Sequence, residues 1–117
     1  MLSNSLDGES NFLFESNATL HNLSSCIGDW ADRKGFDIDL SLESGVLTID
    51  CGKKGVFVLN KQAPNKQIWL ASPISGPLRY NFCSTGWTNT RDGHDIRTRL
   101  KTELESIFGG GLSLNVT

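Results

Sequence analysis

Two segments with the periodicity of an amphipathic helix enclose a central block that alternates like β-strands, and this order limits the possible folds. The first segment runs from a cap at Ser10 or Asn11 to about Lys34, and apolar or small side chains recur in it every three or four residues. Its predicted buried positions are Leu13, Ser16, Leu20, Leu23, Ile27 and Trp30. A second helix opens at Asp92 and Asp95. Its predicted buried positions are Ile96, Leu100, Leu104 and Ile107.

The block between the helices consists of short alternating segments separated by turn residues. Residues 36–41 place Phe36, Ile38 and Leu40 on one side and two aspartates on the other, which is typical of a half-buried strand. Further strands are predicted at residues 46–51, 56–60, 67–71, 78–82 and 87–90. The order predicts an α+β fold, a two-layer α-β sandwich with two helices packed on one face of a mostly antiparallel five- to six-stranded sheet.

The chain has 117 residues, which is enough for one core between two layers. We expect a single domain over residues 11–117, preceded by a flexible N-terminus or presequence remnant at residues 1–10. Three consecutive glycines at residues 109–111 end the second helix. Leu112, Leu114 and Val116 alternate after them, so the tail either lies between the helices or adds a strand to the sheet.

Residues 60–80 hold all three prolines and no acidic side chain, and they form the most specific stretch of the chain. Within Gln67-Ile68-Trp69-Leu70-Ala71, strand alternation turns Ile68 and Leu70 to one face and Trp69 to the other. If both helices cover the first face, Trp69 lies on the uncovered one, where an aromatic side chain beside polar ones favours partner binding. The alternative is that Trp69 packs beneath a neighbouring loop.

The net charge of −2 hides an uneven distribution along the chain. Residues 1–52 carry nine acidic and two basic side chains, whereas residues 53–117 carry nine basic and four acidic ones, so the two parts have net charges of −7 and +5. No acid lies between Asp50 and Asp92, and the surface of that segment should attract an anionic partner. A nucleic-acid platform is disfavoured, because this segment has only six basic residues and the sequence pI is about 5.6.

The sequence lacks the patterns of membrane proteins, disulfide-rich proteins and common hydrolases. No apolar run reaches the roughly 18 residues of a membrane helix. Cys26, Cys51 and Cys83 are widely spaced, which predicts buried or partly buried free thiols rather than a disulfide framework or a zinc site. No self-contained catalytic site is visible, since His21 and His94 occupy helical positions without a nucleophile at a readable spacing. His94 is expected at the surface in the first turn of its helix.

Short motifs recur between residues 46 and 104. They are Val46-Leu47-Thr48, Asn60-Lys61-Gln62, Pro64-Asn65-Lys66-Gln67-Ile68-Trp69-Leu70, Ser72-Pro73, Ser75-Gly76-Pro77, Arg79-Tyr80, Trp87, Asp92-Gly93 and the helical Glu103-Leu104. With these motifs, the chain from Phe12 to Val116 resembles the frataxin family, and its Asn-Lys-Gln and Ser-Gly-Pro elements are similar to those of eukaryotic members. The resemblance implies the same α-β sandwich, and a function in iron–sulfur cluster assembly in the mitochondrial matrix or a mitochondrion-derived organelle.

The resemblance also implies partners. Frataxins bind the complex of cysteine desulfurase and iron–sulfur scaffold protein, and they promote persulfide transfer to the scaffold. Carried over by motif, the partner-binding residues are Asn60, Lys61, Gln62, Lys66, Gln67, Trp69 and Arg79. We expect a monomer that binds neither nucleic acid nor membrane.

The family is further associated with iron, as an iron chaperone with ferroxidase activity, and this leaves a second function open. Where relatives carry carboxylates along the first helix, this chain has Leu13, Asn17, Ala18, His21, Ser25 and Gly28. Iron ions prefer several oxygen ligands close together. We therefore expect only weak binding of Fe2+ or Fe3+, at Asp29, Asp32, Asp37 and Asp39.

Overall fold

The computed structural model describes the backbone of residues 4–84 and 86–114 and the side chains of residues 11–84 and 86–114. The elements in chain order are α1 (Asn4–Lys34), β1 (Asp39–Glu43), β2 (Val46–Asp50), β3 (Val56–Gln62), β4 (Gln67–Ser72), β5 (Gly76–Cys83), β6 (Gly86–Asn89) and α2 (Ile96–Phe108). Each strand pairs antiparallel with the next strand in the chain, so the sheet order is β1-β2-β3-β4-β5-β6. The predicted α-β sandwich is confirmed, with six strands. Neither described α-helix is long and apolar enough to span a membrane.

The core lies between the sheet and the two helices. Every second side chain of the central strands turns toward the helices, and the buried ones are Leu47, Ile49, Phe57, Leu59, Ile68, Leu70, Tyr80 and Trp87. They belong to one cluster with the buried helix residues Leu20, Leu23, Ile27, Trp30, Ile96, Leu100 and Leu104. Burying each large apolar side chain contributes about 1.5–3 kcal/mol, so this cluster holds the two layers together.

α1 begins earlier than predicted. The helix starts at Asn4, whereas the sequence predicts a cap at Ser10 or Asn11. The positions expected to cap the helix are therefore interior positions of it. Residues 1–3 lie outside the described part of the chain, and only the backbone is described for residues 4–10. The expectation that residues 1–10 form a flexible N-terminus or presequence remnant stays a prediction.

The buried stripe of α1 also starts one residue earlier than predicted. Phe12 is fully buried and packs edge-on against Trp87, with ring centroids 5.7 Å apart. Leu13, the predicted core residue, is instead 37% exposed. Phe12 and Leu13 lie four and three residues before Ser16, and both spacings suit a helix, so periodicity alone does not separate them. The larger ring at position 12 fills the space above β6.

β1 begins at Asp39 rather than at Phe36. The Phe36 ring lies between the two helices, 4.9 Å from Trp30 of α1 in an edge-on arrangement and stacked 5.1 Å from Phe108 of α2. The inward direction predicted for Leu40 is retained, because Leu40 packs against the core while Asp39 is exposed. The segment before β1 therefore connects the ends of the helices instead of pairing in the sheet.

The C-terminal tail lies between the helices, the first of the two alternatives. The Trp30 indole donates a hydrogen bond to the carbonyl of Gly110 at 3.1 Å, which ties the end of α1 to the glycines after α2. The Leu112 backbone N–H donates to Glu105 at 2.9 Å. Leu114 lines a small cavity together with Leu23 of α1 and Arg97 of α2. Residues 112–114 form no strand, and Val116 lies outside the described residues.

Candidate functional site

The sheet face opposite the helices, here called the open face, presents its side chains in rows across the strands. The residues of one row, directly opposite one another on β1 to β5, are Glu43, Val46, Asn60, Trp69 and Arg79. The residues of a second row, on β3 to β6, are Gln62, Gln67, Asn81 and Thr88. All of these side chains are exposed or half-buried, so both rows are accessible in the described part of the chain.

Trp69 occupies the centre of the open face and is held in one orientation. Ile68 and Leu70 on either side are buried toward the helices, which confirms the predicted alternation of β4. The Trp69 indole donates a hydrogen bond to the side-chain oxygen of Gln67 at 2.7 Å, and the Arg79 guanidinium lies 4.6 Å from the ring centroid. Because the ring is half-buried, part of its surface remains available to a partner.

The other predicted partner-binding residues divide between two faces. Asn60 and Gln62 lie on the open face, where the Asn60 amide donates to Gln62 at 3.2 Å. Lys61 points to the helix side, since its ammonium donates to Asn17 of α1 at 3.1 Å. Lys66 is exposed at the turn before β4, in the left-handed conformation with φ of 52°. The structure therefore brings together Asn60, Gln62, Gln67, Trp69 and Arg79, and it separates Lys61 from them.

An apolar hollow of about 280 Å³ lies beside Trp69 on the open face. Its lining residues are Val58, Asn60, Trp69, Leu70, Ala71, Pro77, Leu78 and Arg79. Strand alternation in the sequence places Ala71 on the face of Trp69, as observed, but sequence reasoning did not assign Val58 or Pro77 to this surface. Their register provides the missing signal, because Val58, Ala71 and Pro77 lie directly opposite one another and two residues along each strand from the row of Trp69, which keeps them on the same face.

A buried carboxylate attaches the turn between β4 and β5 to α2. Glu103 is only 4% exposed, and it accepts hydrogen bonds from the hydroxyls of Ser72, at 2.5 Å, and Ser75. The Ser72 oxygen itself accepts from the backbone N–H groups of Ile74 and Ser75, at 2.9 and 3.0 Å. Arg99 lies 3.5 Å from the same carboxylate. The cluster fixes the ends of the two strands that carry the tryptophan and the arginine of the open face.

The four aspartates expected to bind iron are all exposed. Asp29 and Asp32 lie in the last turns of α1, Asp37 precedes β1, and Asp39 begins it. Across the described residues, no three histidine, cysteine, aspartate or glutamate side chains come close enough to hold a metal ion together. The donor set therefore offers oxygen ligands of the right chemistry, but as single exposed carboxylates rather than a preformed cage.

The cysteines are free thiols, as predicted, with Cys51 buried and the other two half-buried. Burial, with a smaller effect of the nearby Asp50 carboxylate, raises the pKa of Cys51 to about 11. The Cys51 thiol is therefore protonated and unreactive at neutral pH. Burial likewise raises the pKa of Cys26, and the charge of Asp29 adds to it.

His94 is not a surface residue of the second helix, which corrects the prediction. It precedes Asp95, the residue that caps α2, and its side chain is 18% exposed. One ring nitrogen lies 2.5 Å from the Asp92 carboxylate and the other 2.7 Å from the Tyr80 hydroxyl. Tyr80 is fully buried and burial raises its pKa to about 12, so this hydroxyl is not an accessible nucleophile.

The fold and the open face define a class of protein, the small α-β sandwich in which helices cover one side of an antiparallel sheet and the other side stays accessible. Comparison with known proteins then identifies the family. The profile of the frataxin-like domain matches residues 6–110, and the chain belongs to the frataxin family.

Curated relatives are mitochondrial frataxins. The chain is 39% identical over 104 residues to frataxin of Arabidopsis thaliana, covering 85% of this chain and 54% of the relative. It is 42% identical over 84 residues to a frataxin-like protein of Leishmania donovani, covering 65% of this chain and 44% of the relative. Against the frataxin homolog of Saccharomyces cerevisiae, identity is 45% over 70 residues, or 60% of this chain and 40% of the relative. The chain thus spans about half the length of these relatives.

Solved frataxin structures share the fold. Trimeric frataxin from the yeast Saccharomyces cerevisiae, complexed with ferrous iron, superposes with a TM-score of 0.72 at 36% identity, covering 79% of this chain and 83% of the yeast chain. Frataxin from Psychromonas ingrahamii superposes with a TM-score of 0.74 over 92% of this chain and 98% of its own, and at 20% identity it supports the fold alone. The yeast protein is a trimer, whereas the monomer expected for this chain stays a prediction.

Proposed function

We propose that the chain supports iron–sulfur cluster assembly in the mitochondrion by binding the complex of cysteine desulfurase and scaffold protein through the open face. Family membership and the mitochondrial names of the relatives support this proposal. Bound to that complex, the protein promotes transfer of the persulfide from the desulfurase to the scaffold. Its contribution to that complex is the set of contacts that the open face provides.

The orientation of Trp69 is the observation that carries the proposal. Gln67 and Arg79 hold the ring in place before any partner arrives, so binding loses little side-chain entropy. The hollow beside the ring accepts an apolar side chain, and the surrounding amides of Asn60 and Gln62 supply hydrogen bonds at its border. A central aromatic anchor with a polar rim is the usual arrangement of a protein-binding hot spot.

The experiment compares Trp69→Ala with Phe14→Ala. Phe14 is a matched control because it is an aromatic side chain on α1 that is 70% exposed and lies away from the open face. In a calorimetric titration into the desulfurase–scaffold complex, we expect Trp69→Ala to weaken binding roughly 30-fold, the ~2 kcal/mol of a hot-spot residue. Phe14→Ala should bind like the wild type. Unchanged affinity of Trp69→Ala would sink the proposal.

Iron handling is the second candidate function, and it is favoured by the yeast frataxin solved with ferrous iron. In this chain we propose that Fe2+ or Fe3+ binds weakly, as cargo, near Asp29, Asp32, Asp37 and Asp39. The exposed positions of these carboxylates support ready exchange of the ion with solvent. An iron chaperone with ferroxidase activity would use the same residues.

Two measurements separate iron handling from partner binding. Fe2+ titrated into 15N-labelled protein should broaden the amide signals around Asp29 and Asp37, and the signals should stay sharp in an Asp29→Asn, Asp32→Asn double variant. Absence of broadening in the wild type would remove the iron site. Desulfurase turnover with scaffold present should rise on adding this protein without iron if it is a binding regulator, and only with iron if it is an iron donor.

A further inference from the structure

A basic pocket of about 390 Å³ adjoins the open face where β5 begins and β6 ends. Its lining residues are Pro77, Leu78, Arg79, Asn89, Thr90 and Arg91. Three of these residues, Pro77, Leu78 and Arg79, also line the hollow beside Trp69. The two cavities therefore share a wall, and one extended segment of a partner can enter both.

The backbone around the basic pocket is fixed from inside. Asn89 is 6% exposed, and its side-chain oxygen accepts hydrogen bonds from the backbone N–H groups of Arg91, at 2.9 Å, and Asp92, at 3.3 Å. Its amide nitrogen donates to the carbonyl of Arg79 at 3.3 Å, and the Thr90 N–H donates to the same carbonyl at 3.0 Å. The two arginines consequently start from a rigid frame, although their side chains are exposed.

Neither arginine is neutralised by a carboxylate of the described chain. No ion pair joins Arg79 or Arg91 to an acid of the described residues, and residues 51–91 contain no acid at all. The nearest acid in sequence, Asp92, is engaged elsewhere, because its carboxylate accepts from the backbone and ring nitrogens of His94 at 3.1 and 2.5 Å. The pocket therefore has two guanidinium groups whose positive charge is uncompensated within the described chain.

We propose that this pocket binds an aspartate or glutamate of the protein partner, in a segment whose neighbouring apolar side chain fills the hollow beside Trp69. The proposal rests on the proposed function and adds the chemistry of the partner segment and a new binding residue, Arg91. Two guanidinium groups at one pocket suit a planar carboxylate, which accepts hydrogen bonds in pairs. Arg79 belongs to both cavities and therefore sets the distance between the acidic and the apolar side chain of that segment.

The test compares Arg91→Gln and Arg91→Lys with Arg33→Gln, an exposed arginine at the end of α1 that lines neither cavity. Calorimetric titrations into the desulfurase–scaffold complex are carried out at low and high salt. We expect Arg91→Gln to raise Kd about tenfold at low salt, with a smaller difference at high salt, as for other partly exposed interfacial charges. Arg91→Lys should recover part of the loss, and Arg33→Gln should bind like the wild type.

Acidic residues of the partner provide a second measurement. Each is changed to its amide, and one of them should lose its effect when combined with Arg91→Gln, because the two variants remove the same contact. An unchanged Kd for Arg91→Gln, an equal loss at both salt concentrations, or additivity with every partner acid would overturn the inference. If Arg91→Gln binds normally while Trp69→Ala does not, only the acidic-segment inference fails. If the wild type does not bind the complex, the proposed function fails with it.

Discussion

Removing the buried carboxylate of Glu103 should destabilise the domain by an amount that the structure allows us to estimate. In Glu103→Ala, the hydroxyls of Ser72 and Ser75 lose their acceptor, and Arg99 loses its ionic partner. A hydrogen bond to a charged group contributes about 1.5–3 kcal/mol when buried. Ser75 is exposed and Arg99 is 33% exposed, so water replaces much of their loss and only the Ser72 bond counts in full.

The expected loss in free energy of unfolding is therefore about 3 kcal/mol for Glu103→Ala. Glu103→Gln keeps the shape and one acceptor oxygen, and we expect it to lose about 1 kcal/mol. With an unfolding entropy of about 2.1 cal/mol/K per residue, each kcal/mol lowers the melting temperature of a chain of this length by about 4 °C. The two variants should thus melt about 12 °C and 4 °C below the wild type.

Calorimetry and urea denaturation both measure these differences. Glu43→Ala is the matched control, since Glu43 is an exposed glutamate of β1 and its removal should change stability by less than about 0.5 kcal/mol. If Glu103→Ala melts within about 2 °C of the wild type, the assignment of Glu103 as the attachment of the β4–β5 turn is wrong. If the glutamine variant loses as much as the alanine variant, the negative charge, rather than the acceptor geometry, carries the effect.

Two further predictions concern the polar contacts of the helix side. Tyr80→Phe removes the hydroxyl that lies 2.7 Å from His94. We expect the free energy of unfolding, measured by urea denaturation, to fall by about 1 kcal/mol. A variant as stable as the wild type would contradict this prediction. A hydrogen bond from Lys101, and then one from the Leu112 backbone N–H, lower the pKa of Glu105 from its ordinary value of 4.5. These contacts therefore stabilise the fold above pH 4.5, and their contribution is lost as the pH falls below it. Between pH 6 and pH 3, the urea midpoint should drop less in Glu105→Gln than in the wild type. An equal drop of the midpoint in the two proteins would refute the assignment.

Local patterns predicted the layers and the open face because alternation along one strand decides which side chains point to the core. Trp69 was placed correctly from its two apolar neighbours alone. Alternation along β3 gives a different result for Lys61 than the family motif does. Because Leu59 is buried toward the helices, Lys61 two residues later points the same way, whereas the motif groups Lys61 with Asn60 on the open face. A motif records which residues are adjacent in sequence, whereas the pleat of a strand sends adjacent residues to opposite faces.

Features that depend on distant residues were not predictable from local patterns. Glu103 was not among the predicted buried positions of α2, and its main partner Ser72 is 31 residues away in the chain. Phe36 fits a strand by alternation, but its ring stacks on Phe108 of α2 and its backbone does not pair in the sheet. The basic pocket likewise requires the first residues of β5 to meet the turn after β6, which brings Arg91 beside Arg79. In each case, tertiary contact overrides or completes a local pattern.

The order in which the strands pair has a consequence for how the chain folds. Each hairpin of the sheet closes a short loop and can form as soon as its two strands are present, because every strand pairs with its successor. The helical layer instead joins the two ends of the domain, as in the bond between Trp30 and Gly110, 80 residues apart. Because α1 precedes the strands in the chain, we expect the hairpins to pair one after another during synthesis with α1 already available to cover part of the sheet, and the core to be sealed only when α2 and the residues after it are released.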